Sequence, residues 1–170
     1  MAKLNYNRVV DWAMHRRILD ESTAQFQMLK GTEEHGEMAT AILNGDREEL
    51  IDAIGDQLVV AIIQCAQLGY MDELGGWCQY ENTVMLRSGF KCRENLLHVL
   101  AVTSAQGEVS GDLARSRCAR ESFRKLFTSL YILCFRYDIN PCYALDSVYD
   151  IISKRDGVMR NGVWVKVGDL

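Results

Sequence analysis

Two pairs of acids at helical spacing flank a tight turn, and this stretch, from Lys30 to Gly69, constrains the fold more than any other part of the chain. Glu33, Glu34 and Glu37 fall on one predicted helix. After Asn44-Gly45-Asp46, Glu49, Asp52 and Asp56 fall on the next. Residues three or four apart share a helix face, so Glu34/Glu37 form one pair and Asp52/Asp56 another. A short connection favours antiparallel helices. The two pairs can then face each other, and about four like charges in one pocket repel unless a cation sits between them. Hard oxygen ligands suit Mg²⁺, Mn²⁺ or Ca²⁺.

The second helix sets its acids against apolar neighbours. Glu49, Asp52 and Asp56 run on into Val59, Val60 and Ile63, beside a second stripe of Leu50, Ile54, Leu58, Ile62 and Cys65. Acids at the edge of a core need a partner, a metal or a shifted pKa. The plain alternative is a solvated acidic face with i,i+4 contacts to Arg47 or Lys30.

The rest of the chain reads as helices. It has 170 residues with one proline, 48% hydrophobic and 25% charged, which allows one domain with a full core. Periodicity, caps and breakers predict helices over about 6–19, 23–43, 47–68, 93–106, 118–137 and 141–154. On the first, Val9, Val10, Ala13, Met14 and Ile18 point inward. Residues 71–92 read as an irregular connector. Asn161-Gly162, between Val158-Met159-Arg160 and Val163-Trp164-Val165, predicts a C-terminal β-hairpin. Thr32 to Met38 parallels Thr103 to Val109, and Leu58 to Tyr70 parallels Phe127 to Ile139. This reads either as a degenerate duplication of one helix hairpin, giving a four-helix core, or as the likeness of any two amphipathic hairpins. In the second copy Ala105 stands for Glu34 and Lys125 for Asp56, while Glu108 keeps the place of Glu37.

The acid-bearing segment resembles a known family. Gln27-x-x-Lys30-x-x-Glu33-Glu34-x-Gly36-Glu37 is similar to the signature of MazG-type nucleotide pyrophosphohydrolases, in the all-α NTP pyrophosphohydrolase superfamily. Their pattern is Glu-x-x-Glu, a gap, then Glu-x-x-Asp. Ile54-Gly55-Asp56 with Gln57-Leu58-Val59-Val60 resembles the second half. The second-pair Glu falls at Ala53, and Asp52 or Glu49 is left to supply its oxygen. The run from Ile151 to Lys166 resembles the tail of phage-type members. The resemblance spans roughly residues 22–70 and 140–170. It implies a single all-α domain over 1–170, a homodimer, and Mg²⁺-dependent hydrolysis of a nucleoside triphosphate to a monophosphate and pyrophosphate.

Within that expectation Glu34, Glu37, Asp52 and Asp56 are the candidate metal ligands. Glu33, with Glu49 as an alternative, orients ligands or accepts a proton. Lys30, one turn before Glu34, is placed to neutralise a phosphate. Asp150 is a candidate for contact with the nucleotide or a metal. Lys154 and Arg155, with Arg160 and Lys166 around the hairpin, are candidates for phosphate contact, or else solvated tail charges.

Other chemistries find no support in the residues. The three positions preceding His15, His35 and His98 by one turn are Trp12, Thr32 and Asn95, so the Glu-x-x-His of a di-iron bundle is absent. No His/Cys pair has zinc spacing, and no phosphate-binding Gly-rich loop ending in Gly-Lys-Ser/Thr occurs. A net charge of −4 offers no general attraction to nucleic acid. No apolar run reaches the roughly 18 residues of a membrane span. Six cysteines without Cys-x-x-Cys, and a polar Met1-to-Tyr6 start, predict reduced thiols in a cytoplasm, that of a host if the chain is phage-encoded. A catalytically weak nucleotide-binding or interaction protein of the same fold is the competing reading.

Overall fold

The computed structural model describes residues 4–77 and 95–169. The fold is all-α with a short C-terminal hairpin. Its elements are α1 (Tyr6–His15), α2 (Ile18–Glu21), α3 (Ala24–Asn44), α4 (Arg47–Gln67), α5 (Asn95–Ala114), α6 (Arg120–Arg136) and α7 (Pro141–Ile152). A two-stranded antiparallel sheet follows, β1 (Gly157–Arg160) and β2 (Val163–Lys166). Among the described residues, no helix is long and apolar enough to cross a membrane.

The core consists of two antiparallel hairpins, α3–α4 and α5–α6, packed through α3 on α5 and α4 on α6. Local chemistry sets the first hairpin. Thr23 caps α3 by accepting from the Phe26 N–H at 3.2 Å, and Asp46 caps α4 by accepting from Glu49 N–H at 3.0 Å. Gly45 turns the chain between them at φ 68°, the left-handed conformation that glycine adopts without steric cost. Every residue from Gln57 to Cys65 is buried, covered by α1, α3, α6 and α7. This apolar run is therefore covered inside one chain, while Phe135 at the end of α6 stays 65% exposed.

The last helix is brought in by one glycine. A Cβ on Gly55 would lie 2.4 Å from the Ala144 carbonyl oxygen and 2.5 Å from Val148 Cγ2, so α7 crosses α4 backbone to backbone there. Asn140 caps α7 by accepting from Cys142 N–H at 2.9 Å, with Pro141 at its first position. The hairpin has the predicted Asn161-Gly162 turn, both residues at positive φ (51° and 81°), and pairs Arg160 with Val163. It is tied down by Trp164, whose ring meets Trp12 edge-on at 6.2 Å and lies 5.4 Å from the Arg16 guanidinium.

The predicted first helix is broken. α1 stops at His15, Arg17 takes φ 61°, and the chain restarts at Ile18. On a continuous helix Ile18 would stand about 180° around from Val9, yet both are buried. The break turns Ile18 back into the core, and Met14 is left 53% exposed rather than inward. The helix expected over 93–106 runs on to Ala114, through Gly107 and Gly111. Burial of Val109 and Leu113 against α6 offsets the roughly 1 kcal/mol that each glycine costs a helix. Residues 71–77, read as irregular connector, are helical and bury Leu74; the remainder of that connector lies outside the described residues. Among the described residues, Cys65, Cys118, Cys134 and Cys142 are not in disulfides; Cys78 and Cys92 lie outside the described residues.

Candidate active site

The acids meet on the open face of the α3–α4 hairpin. Glu34 is the innermost. It is 2% exposed, and its Oε1 accepts from Lys30 Nζ at 2.8 Å. Its Oε2 is buried with no hydrogen-bond partner. Burial pushes the Glu34 carboxyl up to about 7 against the hydrogen bond from Lys30, and Asp56 and Glu37 add to the rise.

Asp56 faces this group from α4 and is half-buried. Burial pushes its carboxyl up to about 6, reinforced by Asp52 and Glu37 and opposed by Lys30 and Arg155. Glu37 and Asp52 are exposed. The face thus holds Glu34, Glu37, Asp52 and Asp56 with Lys30 and Arg155 as their cations. Lys30 also bonds Glu33 at 2.9 Å. Burial works against the Lys30 charge, but the hydrogen bonds it donates to Glu34 and Glu33 outweigh it and hold the ammonium above the usual lysine range.

The solvated-face alternative is met in part. Lys30 does pair with the acids, but Glu34 is not solvated. Arg47 is engaged elsewhere, donating to the Tyr137 and Asp138 carbonyls at 2.5 and 2.7 Å.

Ala53, where the resemblance places a Glu, is 1% exposed and faces the core. A carboxylate there would be buried among apolar groups, whereas Asp52 stands outside. Glu49 is exposed near the start of α4. Asp150 and Lys154 are exposed, and no hydrogen bond or ion pair joins them to the acids among the described residues. From the tail, the Arg155 charge acts on Asp56. Its approach follows from the Gly55 crossing, which places the end of α7 beside α4.

A polar seam beneath the acids is not read from the sequence. Gln57 and Gln106 are buried, and Gln57 Nε2 donates to Gln106 Oε1 at 3.4 Å. Gly31 makes room for them, since a Cβ there would lie 3.1 Å from Gln106 Nε2 and 3.4 Å from Gln57 Nε2. His35 Nε2 meets Thr103 Oγ1 at 2.9 Å, and burial lowers the His35 pKa. Gln57 Oε1, Gln106 Nε2 and His35 Nδ1 are buried without partners, as is Glu34 Oε2. The available signal was Gln57 itself, a polar residue opening the apolar run that follows Asp56.

In the second hairpin the counterparts make a closed ion pair. Lys125 donates to Glu108 at 2.6 Å, and Ala105 is buried. On the same helix as Lys125, Arg124 pairs with Glu121.

A divalent cation fits the first hairpin by its chemistry. The donors are all carboxylate oxygens, one is buried and unpaired, and two carboxyls are pushed up by burial and mutual repulsion. The acids are not drawn together around one point: among the described residues, no three His, Cys, Asp or Glu side chains form a ready metal cluster.

No family model and no solved structure matches the chain. It is 34% identical over 59 residues to the "Uncharacterized 18.2 kDa protein in rep-hol intergenic region" of Haemophilus phage HP1 (strain HP1c1). The similarity covers 35% of this chain and 36% of that protein's length.

Proposed function

We propose that the chain is a Mg²⁺-dependent, MazG-like nucleoside triphosphate pyrophosphohydrolase of phage type, with Mn²⁺ as an alternative ion. The observation that carries the reading is Glu34: a carboxylate 2% exposed, with one oxygen unpaired, facing Asp56 and Glu37 across a surface open to solvent. Burying such a group costs several kcal/mol unless its charge is met, and a site for a cation-bound polyphosphate would meet it. Glu34, Glu37, Asp52 and Asp56 would hold Mg²⁺, which supplies neutralisation of phosphate charge and activation of water. Lys30 and Arg155 would neutralise phosphate oxygens. Glu33, hydrogen-bonded to Lys30, would orient that ammonium or accept a proton from the attacking water; Asp150 and Lys154 would have to reach the nucleotide from the side. Attack at the α-phosphorus releases a monophosphate and pyrophosphate. Such an enzyme would act on the nucleotide pool of a cytoplasm, that of a host for a phage chain, and needs neither nucleic acid nor membrane.

Ala53 in the core and the absence, among the described residues, of a ready three-acid cluster favour a second reading, a weak or inactive nucleotide-binding protein of the same fold. Pyrophosphate release separates the two. The enzyme releases it in Mg²⁺ and loses it in Glu37→Gln; the binding protein retains nucleotide and releases none.

A further inference from the structure

The cation already seated among the acids is Lys30. Its ammonium lies 2.8 Å from Glu34 and 2.9 Å from Glu33. The lysine is itself 53% exposed, whereas the Glu34 it holds is 2% exposed. The ammonium satisfies one Glu34 oxygen and leaves Oε2 buried and unpaired. Asp56 acts on Glu34, and Asp56 in turn feels Asp52, Glu37, Lys30 and Arg155. The second hairpin differs at this point. There Lys125 replaces the acid itself and closes on Glu108 at 2.6 Å. In the first hairpin the ammonium is an addition to Glu34, Glu37, Asp52 and Asp56, on a flexible four-carbon stem with a solvent-facing side.

We propose that Lys30 is an exchangeable counter-ion: it holds Glu34 in the cation-free protein, and releases it to a divalent cation when phosphate oxygens of a polyphosphate take the ammonium. This rests on the metal-dependent reading above. One ammonium cannot serve Glu34 and a phosphate fully at once, so cation and polyphosphate favour each other's binding, and the coupling is reciprocal.

The test is Mn²⁺ binding to the whole chain without nucleotide, at about pH 8 where free carboxyls are ionised, followed by the paramagnetic signal of unbound Mn²⁺. Lys30→Gln should bind Mn²⁺ about fivefold more tightly or better. Lys125→Gln should match the wild type. Equal or weaker Mn²⁺ binding by Lys30→Gln, where the wild type binds, overturns the exchange and leaves the metal site standing. No binding by either protein overturns both. Binding by Lys30→Gln alone supports the exchange. A second measurement needs no variant: the Lys30 side-chain resonance of the wild type should shift on saturation with Mg²⁺ and inorganic tripolyphosphate, as the ammonium leaves Glu34 for phosphate, and an unmoved resonance overturns the proposal.

Discussion

Glu34 shows how a single side chain carries both the cost and the use of a site. Its folded pKa, about 7, stands above the ordinary 4.5, and that of Asp56, about 6, stands above 3.8. The folded chain therefore keeps protons that the unfolded chain has lost. Stability of the metal-free protein is fullest below about pH 4 from these groups and is lost as the pH rises through about 6 to 7. Thermal unfolding in chelator should show the melting temperature falling across that window. Glu34→Gln, which cannot ionise, should flatten the fall and melt above the wild type at pH 8; a wild type whose melting temperature rises over the same window would contradict the assigned shifts. For turnover, Glu37→Gln and Asp56→Asn should each lose on the order of 100-fold, the scale seen when one preorganised charge-stabilising group is removed. Glu108→Gln, already neutralised by Lys125, should change it little. Steady-state pyrophosphate release checks all three.

Among the elements, the crossing of α7 over α4 is the most exacting. Gly55→Ala would place a methyl against the Ala144 backbone and Val148. Backbone cannot swing aside as a side-chain end can, so the variant should lose about 1–3 kcal/mol, read as a lower urea midpoint. It should also weaken the influence of Arg155 on Asp56. Gly31→Ala meets only the ends of Gln106, Gln57 and Val60 and should cost less. The helices α3, α4 and α7 were legible because caps, turn glycine and apolar period all agreed: Thr23, Asp46, Gly45, Asn140-Pro141. The acid face was legible for the same reason, being fixed by i,i+3 and i,i+4 spacing on two well-marked helices. What escaped depends on contacts between distant segments. The break at Arg17 serves the burial of Ile18, the run of α5 through Gly107 serves Val109 and Leu113, and Gln57 is polar in the core because Gln106 meets it. Asp150 was placed by the resemblance and Lys154 by the basic residues around the hairpin; both are exposed.

For the molecule as a whole, two hairpins complete one core inside one chain, one keeping its acids and the other closing on an ion pair. The apolar runs of α4 and α6 are largely buried in this way, while Phe135 stays 65% exposed. Sedimentation at micromolar concentration should give twice the 19.3 kDa of one chain for the homodimer that the resemblance implies; the mass of a single chain would reject it. The central claim concerns chemistry rather than assembly. Its most direct measurement is ³¹P NMR of the products formed from a panel of ribo- and deoxyribonucleoside triphosphates with Mg²⁺, with Glu37→Gln alongside. The wild type should convert at least one of them to a monophosphate and pyrophosphate, and the variant should not. Orthophosphate from every nucleotide turned over, or no turnover of any, would contradict it.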